Sequence, residues 1–221
     1  MLRLSIQTDL TSRRPDTDVE GLVAIRRDPM VFLSRCVFTL DQTDRWNPVK
    51  PFPASLEYIR HIVRLTTSEK LLAIVKSRRM VITWTMCALW LWDAMFGIGR
   101  FNAMMSKKEE DSDELVRRCK FIYDNIPAGA LPVKPVMEYK YTTLKFPEID
   151  SQIKGFAQGA DQLRQFTCSR ILGDEMAFWP AARASFVAMK PTLEGGGQVV
   201  LVSTRYPGFF KDLIEDVLDS D

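Results

Sequence analysis

The chain has 221 residues, 46% of them hydrophobic and 26% charged, enough for one globular domain with a sizeable core and too apolar for a disordered chain. Thirty Lys and Arg against 28 Asp and Glu leave a net charge of +2, which excludes a general nucleic-acid coat or a basic membrane-surface protein and leaves only local DNA contact. Cys36, Cys87, Cys119 and Cys168 are widely spaced without a C-x-x-C pair, and His61 is the single histidine; the pattern is that of reduced thiols in a cytosolic protein, not of a zinc site.

In chain order, Asp9, Arg13, Arg14, Asp16 and Asp18 interrupt the first residues, so no secretory leader is expected. Residues 71–75, LLAIV, read as a strand and 83–96 as a long apolar helix. The run MVITWTMCALWLWDAMFGI nears the length of a membrane span, with Asp93 its single charge. Its attachment to LLAIV, and the strand and helix that follow, favour burial between a parallel sheet and other helices instead. Gly97-Ile98-Gly99 ends the helix and 101–105 reads as the next strand, so a βαβ unit with parallel pairing is expected.

Residues 106–123 read as an amphipathic helix whose apolar side holds Leu115, Val116, Cys119, Phe121 and Ile122; its acidic EEDSDE start suits the helix dipole. A loop is expected over 126–135, and YTTLKFPEIDSQIKGF alternates around Pro-Glu-Ile-Asp as a hairpin does. A short buried strand at 168–173, a helix at 181–190 and a strand at 198–203 complete an α/β pattern, with a mostly parallel central sheet flanked by helices on both faces.

Two motifs carry chemistry. KSRRMVIT stands between a strand and a helix, where a phosphate-binding loop would sit. In G-x-x-x-x-G-K-[ST] the glycines let backbone N–H groups wrap phosphates, the lysine reaches the β/γ-phosphates and the hydroxyl holds Mg²⁺. Keeping Thr83 last puts Lys76 at the first glycine, Val81 at the second and Ile82 at the lysine. The loop alone leaves open an ATP site or a buried strand-turn-helix. Downstream, SRILG ends in Asp174-Glu175, two carboxylates at the C-terminal edge of a strand, where open α/β sheets place ligands. This is the Walker B arrangement: Asp174 would bind Mg²⁺, directly or through water, and Glu175 would orient and deprotonate the attacking water.

Taken together, KSRRMVITW, SKKEEDSDELVRR, QGADQLRQFT, ILGDEMAFW and PTLEGGGQVVLVST resemble the ATPase domain of the large terminase subunit, the DNA-packaging motor of tailed bacteriophages. The resemblance covers roughly residues 30–210 and five motifs in the family's order. It implies a P-loop NTPase of the ASCE type with the Walker B strand beside the P-loop strand. In that family the loop lysine sits at the usual place or at the start of the loop, which makes Lys76 the displaced lysine. By the same resemblance Lys76, Ser77, Arg78, Arg79, Met80, Val81, Ile82 and Thr83 would bind phosphates and Mg²⁺, Ser203 and Thr204 would couple hydrolysis to movement, and Arg164 would reach a neighbour's nucleotide. CVFTLDQTDRWNPVKPFP resembles the adenine-recognition segment, with Gln42 reading the base edge and Phe52 or Trp46 stacking on it.

The organisation expected is an N-terminal arm and adenine-side segment over 1–60, an ATPase core over 61–209, and from 210 to 221 the start of a linker toward the family's nuclease domain, without nuclease activity in this chain. ATP and Mg²⁺ are the implied substrate and metal. The implied partners are double-stranded DNA, the portal protein, the small terminase subunit and further copies in a ring, a pentamer by resemblance. The implied location is the host cytoplasm, transiently at the procapsid portal, with no membrane. A helicase-like ASCE ATPase and a catalytically inactive terminase-like assembly module are the alternative readings.

Overall fold

The structure, a computed structural model, describes residues 19–218 apart from 79, 132 and 160. Arg79, expected beside the phosphates, therefore lies outside the described residues, as do residues 1–18 of the expected arm and 219–221 of the expected linker.

The described chain opens with helices α1 (Val19–Arg27) and α2 (Pro29–Cys36), a small hairpin of β1 (Phe38–Leu40) and β2 (Val49–Pro51), and helix α3 (Glu57–Ser68). The Asp28 carboxylate accepts the Met30 N–H and Pro29 occupies the first helical turn, so an N-cap and a preset φ start α2. Then follow β3 (Leu71–Val75), α4 (Ile82–Phe96), β4 (Phe101–Ser106), α5 (Glu109–Asp124), β5 (Glu138–Lys140), β6 (Thr143–Phe146), β7 (Ser151–Ala157), β8 (Arg170–Asp174), α6 (Ala182–Glu194), β9 (Gln198–Ser203) and α7 (Phe209–Leu218). Among the described residues no helix is long and apolar enough to cross a membrane.

The main sheet has the order β3-β9-β8-β4-β7-β6-β5, parallel from β3 through β7 and closed at the far side by antiparallel β6 and β5. Alternate residues of its central strands face opposite cores. Met104, Leu172, Val200 and Val202 pack with α2, α3, α4 and α5 on one face. Ala103, Met105, Ile171, Val199 and Leu201 pack with α6 and α7 on the other, as the two-residue period of a strand requires.

Two expectations about the sheet are corrected. The strand ending in Asp174-Glu175 does not lie beside β3; β9 is inserted between them. For the same reason β3 and β4 do not pair, although both run parallel in the sheet. Burial explains the order. β9 is apolar on both faces and buried from Val199 to Ser203, whereas β3 leaves Leu71 and Val75 exposed, so of the two the strand that loses more from contact with water lies inside and β3 takes the edge.

The expected segment boundaries also shift. Ser106 ends β4 rather than opening the following helix, which starts at Glu109. A boundary at residue 60 would cut α3, and Phe32 and Leu33 of α2 belong to the same core as α4. The segment from 210, expected as linker, is helical, with Phe210 in the second core.

Asp93, the single charge of the apolar helix, is buried yet fully engaged. Arg100 Nε and Nη2 donate to it at 2.8 and 3.1 Å, Asn102 Nδ2 at 2.9 Å, and Arg170 Nε lies at 3.3 Å. Partners on both sides of the carboxylate offset its desolvation and tie α4 to the start of the central strands.

Candidate active site

The parallel strands deliver the chemistry-bearing residues to one edge. Val75 is in register with Ser203 across β3 and β9, and Asp174 with Val202 across β8 and β9. The next residues, Lys76, Glu175 and Thr204, therefore emerge side by side where the strands end, the edge at which such sheets hold ligands. Lys76 Nζ donates to Glu175 Oε1 at 2.6 Å, and Thr83 Oγ1 donates to Asp174 Oδ1 at 3.1 Å. Glu175 Oε2 accepts the Ser203 hydroxyl and the Thr204 N–H, each at 3.2 Å. The loop, the carboxylate pair and the Ser203-Thr204 pair thus form one connected cluster around Glu175.

Backbone conformation serves this cluster. Glu175 is left-handed, at φ 52°, and turns its side chain back over the end of β9. Trp179 Nε1 holds the turn by donating to the Asp174 carbonyl at 3.0 Å. A Cβ on Gly173 would meet Leu201 Cδ2 at 3.0 Å and the indole at 3.2 Å, so a larger residue at this strand position would have to push one of them aside.

Electrostatics separates the two acids. Burial pushes the Asp174 carboxyl up to about 6, only partly offset by the Lys76 charge and the Thr83 hydroxyl. Burial acts on Glu175 in the same direction, but the hydrogen bond and charge of Lys76, with Thr204 N–H and the Ser203 hydroxyl, outweigh it and hold that carboxyl below its ordinary value. Asp174 is thus a buried carboxylate without an adequate counter-charge, facing a hydroxyl. One carboxylate and one hydroxyl fit Mg²⁺, which keeps waters and completes its shell with substrate phosphates rather than with an all-protein cage.

The remaining expected residues fall in different places. Ser77 and Arg78 are exposed on the loop, and the Ser77 N–H points to Met80 Sδ at 3.3 Å. The Met80 carbonyl accepts the Tyr58 hydroxyl of α3. Ile82 is 1% exposed and points into the core, away from a phosphate. Gln42 faces a cleft that reaches Val81 and Trp84. Phe52, expected to stack on a base, is instead a core residue and leaves almost no ring surface, while Trp46 is 94% exposed outside the residues lining that cleft. Arg164 is exposed on the segment before β8 and pairs with Asp161 at 3.2 Å; the structure does not bring it to the Glu175 cluster. Trp84, Arg118 and Phe121, to which no motif of the sequence gives a role, also line the cleft. Trp84 directly follows Thr83, a signal that adjacency alone could have supplied.

No protein-family model matches the sequence, and no curated protein matches it. Solved structures match in fold. The large terminase of bacteriophage HK97 superposes with a TM-score of 0.67 over 88% of this chain and 41% of that one, at 10% identity. The large terminase ATPase domain of Thermus phage P74-26 superposes with a TM-score of 0.51 over 71% of this chain and 68% of that one, at 14% identity. The chain has the fold of a large-terminase ATPase domain. It spans about two-fifths of the HK97 protein's length (41%).

Within this terminase-type fold Val81 is the residue that departs most from the expected loop. It stands at φ 47°, ψ 16°, as the residue before the first turn of α4, a left-handed conformation that costs a β-branched residue about 1–2 kcal/mol. The glycine is gone but its backbone geometry is kept. The Val81 carbonyl is held on the helix side, accepting both the N–H and the hydroxyl of Thr85 at 2.9 Å. Val81→Gly is accordingly expected to leave stability within about 1 kcal/mol of wild type, relief of the strain offsetting the added chain entropy. Urea unfolding measures this, and a loss above about 2 kcal/mol would show that the side chain's packing decides the site.

Asp174 yields a second expectation, for the metal-free protein. Its folded pKa, about 6, lies above the ordinary 3.8, so between these values the native state holds a proton that the unfolded chain has lost. Its contribution to stability is present below the lower value and disappears as the pH rises through about 6. Asp174→Asn keeps an acceptor for Thr83 and removes the buried charge, and should stabilise the metal-free terminase-like domain at pH 7 by roughly 2–3 kcal/mol. Thermal melts of both proteins from pH 4 to pH 8 would test it; equal melting temperatures at pH 7 would refute it.

Proposed function

We propose that the chain is a Mg²⁺-dependent ATPase, the motor of a viral DNA-packaging machine that couples ATP hydrolysis to translocation of double-stranded DNA into a procapsid. The observation that carries this reading is the pair of contacts joining the variant loop to the acidic strand end: Lys76 to Glu175 and Thr83 to Asp174. A loop cation and a loop hydroxyl face two acids with opposed pKa shifts, which suits a division between holding metal and activating water.

In this reading Lys76 leaves Glu175 when a nucleotide arrives and contacts its phosphates. Thr83 and Asp174 would hold Mg²⁺, which when bound neutralises charge on the phosphate oxygens. The freed Glu175 carboxylate orients the attacking water and takes its proton. Because Ser203 and Thr204 hold the same carboxylate, displacement of Glu175 pulls on the end of β9, which supports the coupling role implied by their motif. Ser77 and Arg78 serve as further phosphate contacts, Gln42 as a base contact and Arg164 as a group offered to a neighbouring copy. Its partners would be the portal, the small terminase subunit and other copies in a ring, in the host cytoplasm and transiently at the procapsid portal.

The test is steady-state phosphate release with and without double-stranded DNA. Mg²⁺-dependent turnover that DNA stimulates, without strand separation and less so as salt rises, is expected. Strand separation would favour the helicase-like reading, and absence of any nucleotide binding would favour the assembly module.

A further inference from the structure

Beside the phosphate loop lies a cleft of about 1000 Å³ running from the β1–β2 hairpin past Val81 to α5. On its inner wall Trp84 and Phe121 meet edge to face, ring centres 5.6 Å apart, and the Arg118 guanidinium lies 5.6 Å from the Trp84 ring centre. The two adjacent arginines of α5 are used differently. Arg117 Nε binds the buried Asp113 at 2.6 Å, and that carboxylate also receives the Thr142 N–H, so this arginine is committed to the fold. Among the described residues the one ion-pair partner of Arg118 is the half-exposed Glu114, at 3.4 Å, in a pair of a kind that solvent screens to little net worth. Its guanidinium is steadied by an aromatic face while its donors remain largely unspent.

The loop is short of what Arg118 could supply. It has no glycine, its Ser77 N–H is turned toward Met80 Sδ, and Lys76 is the one loop cation that touches the carboxylate cluster among the described residues. The position of Arg118 fits the need: it lines the same cleft as Val81, the last loop residue before α4, and rests against Trp84, the neighbour in sequence of Thr83. We propose that Arg118, steadied on Trp84, is a second cation for the polyphosphate of the bound nucleotide, acting within its own chain. The inference rests on the ATP-binding reading and adds a residue to it.

A planar donor fork suits phosphate oxygens and is indifferent to the base. The signature is therefore the ratio of ATP to AMP affinity, measured by titration calorimetry in Mg²⁺ buffer. Arg118→Gln keeps a planar group over Trp84 without the charge; it should weaken ATP binding by about tenfold, the scale of a charge-assisted hydrogen bond, and AMP binding by less than about threefold. Glu114→Gln, at an exposed position, releases Arg118 and should raise the ATP-to-AMP ratio by about two- to threefold. Wild-type protein that binds no nucleotide would overturn the ATP reading and this inference together. Wild-type binding accompanied by an unchanged ratio in Arg118→Gln would overturn this inference alone. So would an unchanged or lowered ratio in Glu114→Gln, which answers the question even if the first variant does not fold.

Discussion

Glu175→Gln is expected to lower ATP turnover by about 10² to 10⁴-fold, the scale of a lost general base, without loss of nucleotide binding. The geometry sharpens this into a prediction about affinity. In the structure Lys76 is held at 2.6 Å by Glu175, so phosphate competes with this carboxylate for the ammonium. Glutamine keeps an acceptor for the Ser203 hydroxyl and Thr204 N–H but no longer holds the ammonium by charge. Lys76 is then freer to meet phosphate, and the variant should bind ATP as tightly as wild type or more so. Lys76→Ala should act oppositely, losing binding and turnover together. Single-turnover phosphate release alongside equilibrium nucleotide binding separates these outcomes. Turnover above about a tenth of wild type in Glu175→Gln would remove this residue from the base role, and wild-type hydrolysis by Lys76→Ala would end the displaced-lysine assignment.

What the sequence made legible were features set by local chemistry. β9 was readable to the residue because an apolar run after Gly195-Gly196-Gly197 has no competing helical pattern. The hairpin at Pro147 was readable because its alternation continues on both sides of the turn. The order of the strands was not, because it follows from how much water each strand excludes after collapse, and β3 and β9 look alike as short apolar runs. α1 and α2, of nine and eight residues, are too short for periodicity to declare itself. At the site, adjacency in sequence identified Asp174 and Glu175, but nothing in it says that Phe52 turns inward or that Arg117 is tied to the buried Asp113 while Arg118 lies over Trp84. Those choices belong to helix phase and packing. Val81 shows the limit most clearly: its side chain argues against a phosphate loop, while its backbone adopts the conformation that a glycine would have supplied.

Moving the loop lysine back to its usual register, by combining Lys76→Ala with Ile82→Lys, is expected to fail twice. Ile82 is 1% exposed and packs in the core shared by α3 and α4. Its neighbours there are apolar side chains, so a lysine must bury an unpaired ammonium or drag the first turn of α4 out of place. An uncompensated buried charge costs about 3–5 kcal/mol, a large share of a domain's total stability of about 5–15 kcal/mol. Ile82→Lys alone should therefore lower the urea midpoint steeply, and the double variant should neither bind ATP nor hydrolyse it. Ile82→Met, similar in volume and apolar, should stay within about 1.5 kcal/mol of wild type and keep its turnover, separating loss of packing from burial of charge. Full hydrolysis by the double variant would mean that residue 82 can turn toward the phosphates. The register of the lysine would then be free, and the inward packing of Ile82 would not be the reason it stands at 76.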